Sequence, residues 1–254
     1  MGQNWLRGGR MIKIMIETAR LSSGDTVLEV GPGTGTLTEA LLTSGARVVA
    51  VEKDDRLIGR LAEKFAAAIK NKQLELIHAD ILKFEGSKLK AKSWKLIANP
   101  PYYLTGRLLR RFLSSAHQPI LAVLMLQKEV AERIVAKDAC LPARQGKESL
   151  LSISVKCYGT PSYIQTVPAR SFRPRPKVDS AIVLIDQISK NNFRELGEEK
   201  FFTRLKQGFA GKRKMLRPKL GLTPEKMIAC GIAPTARAED LTMNQWLCLT
   251  RYCS

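Results

Sequence analysis

The sequence predicts an α/β fold, a largely parallel sheet followed by a small helical domain, and three observations predict it. Strand and helix signals alternate from residue 11 to about 126, which implies parallel strands with helices covering both faces of the sheet. A glycine turn, Gly31-Pro32-Gly33-Thr34-Gly35, directly follows a short β-rich run. Beyond about residue 192 the pattern is helical only.

Met11, Ile12, Met15, Ile16 and Ala19 form a helical stripe, and Thr26 to Val30 is the strand that feeds the glycine turn. Leu37, Ala40 and Leu41 mark the next helix, Arg47 to Val51 the next strand, and Leu57 to Ile69 one further helix. Strands follow at Leu74 to Ile77, Lys95 to Ala98 and Ile120 to Leu126, the last two separated by a helix near Leu104 to Leu113. Gln127 to Val135 has helical spacing and Lys137 to Lys147 is a polar loop, whereas periodicity leaves 150 to 157 open between helix and strand. Tyr163 to Val167 and Ala181 to Ile185 are strands joined by too few residues for a helical crossover, so an antiparallel pair is expected. Asp186 to Asn192 reads as a linker, and helical signals follow at Phe201 to Phe209, Pro224 to Ile228 and Gln245 to Leu249. Two domains are expected, residues 1–187 and 188–254.

A chain of 254 residues that is 44% hydrophobic has ample material for a core. Forty-two Lys and Arg against 23 Asp and Glu leave a net charge of +19, which points to a polyanionic partner rather than to solubility alone. The five cysteines form no C-x-x-C pair, so reduced thiols, a cytoplasmic setting and no metal site are expected. The N-terminus carries no signal-peptide run, and Leu6 stands where a myristoylation motif requires Ser or Thr. Ile120 to Leu126, the longest apolar stretch, is far short of the roughly 20 residues of a membrane span, so no membrane is expected.

Gly31, Gly33 and Gly35 allow a ligand to approach the backbone at a helix start, and Glu52 closes the next strand, where an acid accepts hydrogen bonds from ribose hydroxyls. The turn reads G-x-G-x-G with Glu29 two places before it. That form suits S-adenosylmethionine, which has no pyrophosphate and carries a cationic amino-acid end; a purely structural turn is the alternative. Asp80 ends a strand and either hydrogen-bonds an adenine amine or caps a helix. Asn99-Pro100-Pro101-Tyr102 lies at the carboxyl edge of its strand, where open parallel sheets bind ligands. The Asn99 side-chain oxygen and the Pro100 carbonyl can both accept from an exocyclic amine and localise its lone pair, with Tyr102 stacking on the base. A rigid proline turn is the bland reading. Phe172 either stacks on the far face of that base or anchors a loop in the core. Arg170, Arg173, Arg175 and Lys177 form one basic segment; Lys206, Lys212, Arg213, Lys214, Arg217 and Lys219 form a second, free of acids, on or beside one expected helix. Both read as phosphate-binding surfaces.

With these residues assembled, the chain resembles the small-subunit ribosomal RNA adenine dimethyltransferases over nearly its full length. Gly2-Gln3-Asn4-Trp5-Leu6 is similar to the family's G-Q-N-F-L, Leu126-Gln127-Lys128-Glu129-Val130 to its L-Q-K-E-V, and Phe172 to Ala181 to its F-x-P-x-P-K-V-D-S-A. Arg213-Lys214 and Arg237-Ala238-Glu239-Asp240-Leu241 resemble the R-K and R-A-E-x-L of its C-terminal domain. The resemblance implies a Rossmann-like class I S-adenosylmethionine-dependent methyltransferase sheet with a small C-terminal helical domain that binds RNA. It also implies methylation of N6 on two adjacent adenosines in a 3′-terminal hairpin loop of small-subunit rRNA during assembly, by a monomer. Asn4, Leu6, Gly31, Gly33, Glu52, Asp80 and Asn99 would bind or border the cofactor, and Asn99, Pro100, Tyr102 and Phe172 would hold the adenine. Pro100 and Tyr103 depart from the family's usual N-L-P-Y or N-I-P-Y followed by Asn. The alternatives are a large-subunit methyltransferase of the macrolide-resistance type and a non-catalytic nucleic-acid-binding factor on the same fold.

Overall fold

A computed structural model describes residues 5–6, 9–136, 147–211 and 214–252. Its elements are β1 (Trp5–Leu6), α1 (Gly9–Thr18), β2 (Thr26–Val30), α2 (Thr36–Thr43), β3 (Arg47–Glu52), α3 (Asp55–Lys64), α4 (Ala66–Lys70), β4 (Leu74–His78), β5 (Lys95–Ala98) and α5 (Thr105–Leu113). They continue with β6 (Leu121–Gln127), α6 (Lys128–Ile134), α7 (Leu150–Lys156), β7 (Thr160–Val167), β8 (Phe172–Arg173), β9 (Ser180–Asp186), α8 (Glu198–Phe209), α9 (Leu216–Leu220), α10 (Pro224–Ala229) and α11 (Met243–Tyr252). The polar loop expected after α6 falls largely outside the described residues.

The chain divides into two compact units, 1–131 with 162–188 and 132–161 with 189–254. The second unit resumes one residue after the 187/188 boundary expected from sequence, and it also takes in 132–161, which sequence leaves with the first.

The first unit is built on a seven-stranded sheet of order β4-β3-β2-β5-β6-β9-β7. The β3–β4, β2–β3, β2–β5 and β5–β6 pairs are parallel, and β6 pairs antiparallel with β9. Val27, Leu28, Val48, Ala50, Ile97 and Val123 are 0–1% exposed, as expected of central strands covered on both faces. The chain runs from β2 outward to β4, then returns across β2 to start β5, so the strand order reverses between β2 and β5. Val30 and Ala98, their last residues, are register partners, which sets Gly31 and Asn99 at neighbouring strand ends. Such a reversal is where open α/β sheets leave a crevice for a ligand.

One helix was expected from Leu57 to Ile69, but Phe65, at φ −111°, ends α3 and precedes α4. Apolar periodicity alone does not register that break. The ambiguous 150–157 segment is helix α7, started by a reciprocal Ser149–Ser152 capping box. The strands β7 and β9 are sheet neighbours.

In the second unit, Phe193, Phe201, Phe202 and Tyr158 form an aromatic cluster with ring centroids 5.1–6.0 Å apart. Trp246, fully buried, stacks on Phe209 at 5.7 Å. Cys230, at the end of α10, is bonded to Cys248 on α11, with Cα atoms 5.7 Å apart. This corrects the expectation that the described cysteines are all reduced: packing of α10 on α11 brings together two residues 18 apart that no spacing motif links. Cys157 is free and buried, and burial pushes its thiol up, so it is protonated at neutral pH. No helix among the described residues is long and apolar enough to cross a membrane.

Gly35 shows how tightly the turn after β2 is set. Its φ is +81°, and a Cβ there would stand 2.6 Å from Phe65 Cε2. A left-handed non-glycine residue costs about 1–2 kcal/mol, and overpacking adds roughly 1–3 kcal/mol. Gly35→Ala is therefore expected to destabilise the protein by about 2–5 kcal/mol, read as a lower urea midpoint at unchanged slope; an unchanged midpoint would contradict the tight packing.

Candidate active site

The glycine turn and the Asn99 step line one cleft together with β1, the ends of β3 and β4, and the start of α5. Gly31 and Gly33 have φ values of +65° and +60°. The Gly31 N–H donates to the Val51 carbonyl at 2.9 Å and the Gly35 N–H to Pro32 at 2.9 Å, so the turn is closed on itself and tied to β3. A Cβ on Gly33 would meet the Trp5 ring at 2.9 Å, so the indole lies directly against the turn. The Trp5 contact is a part of the site that residue type alone did not reveal, although Trp5 sits inside the N-terminal match. Leu6 lines the cleft as well. Asn4 lies outside the described residues.

Glu52 is only 2% exposed. Its Oε2 accepts from the Gly33 N–H at 3.2 Å, and its Oε1 accepts from Lys53 and Asp54 N–H at 2.8 and 2.9 Å. Glu52 thus braces the glycine turn against the end of β3. Each carboxylate oxygen carries two lone pairs, so this bracing leaves capacity for a ligand hydroxyl. Asp80 is an N-cap, as one of its two readings held: Oδ1 accepts from Leu82 N–H at 3.0 Å, while Oδ2 pairs with the exposed Lys53 ammonium at 2.9 Å. The Lys53 ammonium, hydrogen-bonded to it, holds the Asp80 carboxyl below its ordinary value.

Glu29 is buried beneath the turn at 1% exposure, and neither carboxylate oxygen has a well-formed hydrogen bond to the protein. Burial pushes its carboxyl up to about 8; the nearby Glu52 carboxylate adds to the rise, and Thr38 offsets part of it. A carboxyl raised in the folded state from 4.5 to about 8 keeps its proton there while the unfolded chain releases it. Its contribution to stability is present below about pH 4.5 and lost as pH rises toward 8. Relative to the wild type, Glu29→Gln should therefore hold its stability across that window and gain on the order of a few kcal/mol above it. Urea unfolding at a series of pH values checks this; parallel curves for the two proteins would contradict it.

Asn99 is half-buried and Pro100 buried at the end of β5, one of the central strands. Tyr102 begins a single 3-10 turn, Tyr102–Leu104, and its hydroxyl shares a 2.8 Å hydrogen bond with the fully buried Ser180 of β9. The ring is thereby anchored at both ends in the cleft wall. Phe172 stands elsewhere. It is 4% exposed, belongs to the apolar core and pairs in register with Leu6 through β1 and β8. It is not among the cleft-lining residues, which matches the core-anchor reading rather than an exposed stacking ring.

Arg170, Arg173, Arg175 and Lys177 are all exposed on the segment around β8. In the second unit the expected single basic helix is two: Lys206 lies on α8, Arg217 and Lys219 lie on α9, and Lys214 lies between them. Lys219 is turned inward, its ammonium donating to the Gly208 and Gly211 carbonyls at 3.0 and 2.5 Å, so it clasps the α8–α9 connection. Lys212 and Arg213 lie outside the described residues. No cluster of metal-ligating side chains occurs among the described residues.

The donor set fits S-adenosylmethionine. Glu52 and Asp80 are placed as acceptors for hydroxyl and amine groups, an unsatisfied Glu29 carboxyl lies beneath the turn, and Trp5, Leu6, Ile81 and Leu82 give apolar walls.

A family model described as ribosomal RNA adenine dimethylase matches residues 1–254. The chain belongs to the ribosomal RNA adenine dimethylase family. It is 39% identical over 98% of its length to a ribosomal RNA small subunit methyltransferase A of Dehalococcoides mccartyi, covering 86% of that protein. The relative of the same description from Thermosynechococcus vestitus is 37% identical, with 98% and 94% of the two chains covered. Among solved structures, a dimethyladenosine transferase from Plasmodium falciparum superposes with a TM-score of 0.78 at 26% identity, over 96% of this chain and 95% of that one. The 23S rRNA methyltransferase ErmE superposes at 0.79 with 25% identity, over 98% of both chains. The α/β sheet of this family member is thus the class I methyltransferase sheet, and its C-terminal segment is helical.

Proposed function

We propose that this family member transfers methyl groups from S-adenosylmethionine to N6 of two adjacent adenosines in a 3′-terminal hairpin loop of small-subunit rRNA, acting in the cytoplasm as a monomer on assembling subunits. The observation that carries this reading is the joining of Gly31 and Asn99 at neighbouring strand ends in a chain matched by the family along its whole length. When bound, the cofactor supplies an electrophilic methyl carbon on a sulfonium. Glu52 and Asp80 orient its ribose and adenine, and the left-handed glycines let the backbone close on it.

The rest is the work of the Asn99 step. An exocyclic adenine amine is a weak nucleophile because its lone pair is delocalised into the ring. The Asn99 oxygen and Pro100 carbonyl accept its N–H groups, which localises the lone pair and aims it. Neither acceptor takes the proton itself: as the new N–C bond forms the methyl–sulfur bond breaks, and the methylated amine then releases its proton to water. Tyr102, held by Ser180, presents its ring to the base. Phe172, buried in the core, supports the site through its pairing with Leu6 rather than by exposed stacking. The basic residues Arg170, Arg173, Arg175, Lys177, Lys206, Lys214 and Arg217, with Lys212 and Arg213 from sequence, supply the RNA-binding charge.

The similarity to ErmE raises a large-subunit substrate as an alternative, which the more similar small-subunit methyltransferase relatives do not favour. The two separate when purified protein is offered labelled cofactor with unmethylated assembling small subunits or with large-subunit RNA. Label in small-subunit RNA is expected. Label in large-subunit RNA alone would support the alternative, and no label in either would favour a non-catalytic binding factor.

A further inference from the structure

A second cavity opens beside the cleft and shares Leu82 and Arg107 with it. Its walls include Arg107, Arg110 and Arg111 of α5, together with Ser87, His117 and one acid, Glu85. The helix α5 carries no acidic residue at all. Arg107 and Arg110 are exposed and form no ion pair among the described residues. Arg111 is fixed differently: its guanidinium donates to the Phe84 carbonyl at 3.0 and 3.3 Å, holding α5 against the cavity floor. One turn before Arg107, at the cleft mouth, stands Tyr103, which is 71% exposed. Tyr103, Arg107 and Arg110 thus follow one another along one stretch of chain, all three exposed.

Aromatic rings interleaved with cations along a groove are the pattern that holds single-stranded nucleic acid, the rings stacking on bases and the cations following phosphates. We infer that Tyr103, Arg107 and Arg110 form a track for the RNA strand leaving the cleft, with a base flanking the target adenine stacked on Tyr103 and the next phosphates held by the two arginines. The inference rests on the proposed function for the identity of the base in the cleft. The track also gives Tyr103 a purpose at a position where the family resemblance places Asn.

The probe is a short single-stranded RNA oligonucleotide carrying an adenosine pair, with affinity followed by fluorescence anisotropy at graded KCl. Each phosphate contact on a single strand contributes about 0.7 to the log–log salt slope. Arg107→Ala combined with Arg110→Ala should therefore lower the slope by about 1.4, and Arg110→Gln alone by about 0.7. Tyr103→Ala should weaken binding roughly tenfold, and Tyr103→Phe should restore it, because the ring and not the hydroxyl stacks. Circular dichroism and melting temperature report whether each variant is folded, and the exposed Arg110→Gln serves if the double variant is not. An unchanged slope in the arginine variants, or equal loss in Tyr103→Phe and Tyr103→Ala, overturns the track. If the wild-type protein labels no small-subunit RNA while the arginine variants still show these slope changes, the functional reading is overturned and the track stands.

Discussion

Replacing Asn99 by alanine is expected to lower methyl transfer by at least about a hundredfold, in the range found when one preorganised polar group aimed at a reacting centre is removed. The side chain stands at the end of β5, in the middle of the sheet, where its position is set by strand pairing on both sides with β2 and β6. Its oxygen is called on most when the amine lone pair is being localised, so the loss falls on the transition state more than on ground-state binding. Affinity for S-adenosylhomocysteine, measured by calorimetry, should change much less than turnover measured under saturating cofactor. Wild-type turnover in Asn99→Ala would remove the amine-activation account.

Glu52→Ala is expected to do the reverse. The carboxylate accepts three backbone N–H groups, from Gly33, Lys53 and Asp54, in a site where it is 2% exposed. Deleting it strands those donors at about 1–3 kcal/mol for each that water does not reach, and it releases the glycine turn from β3. Cofactor affinity should fall by roughly tenfold or more, since a hydrogen bond to a charged group contributes about 1.5–3 kcal/mol, and the urea midpoint should drop with it. At saturating cofactor, the residual methyl-transfer rate should be nearer to the wild-type value than that of Asn99→Ala. Unchanged affinity and unchanged midpoint together would contradict the bracing role.

How much of this was legible in the sequence follows from what each signal reports. Central strands are buried on both faces, so β2, β3, β5 and β6 appear as short apolar runs between turn residues, and the glycine turn and Asn99 step fall at their ends. That is enough to place Gly31, Glu52, Asp80 and Asn99 around one crevice. Contacts across the chain leave no such trace. The Cys230–Cys248 bond depends on how α10 packs on α11, and the inward turn of Lys219 depends on two carbonyls left open at the end of α8. Phe172 sits in a basic, proline-rich segment that looks exposed, yet its pairing with Leu6 draws it into the core. The bracing of the glycine turn by Glu52 was hidden for the same reason: the sequence gives a carboxylate at a strand end, and only the closed turn shows which N–H groups face it. Arg107 falls within the helix expected near 104 to 113 and Tyr103 stands out in sequence only as a departure from the family's Asn, so their shared exposure beside one cleft emerges only from the structure.

The central claim is that the Asn99–Pro100 acceptor pair activates an adenine amine twice. After one methylation a single N–H remains, and it must still be directed at Asn99 or at the Pro100 carbonyl, which proline keeps because it lacks a donor and not an acceptor. Time-resolved nucleoside analysis by mass spectrometry, on unmethylated small subunits with excess cofactor, tests this most directly. The account predicts that N6-monomethyladenosine appears transiently and converts to N6,N6-dimethyladenosine at two adjacent positions. Monomethyladenosine that accumulates to completion and never converts would contradict it.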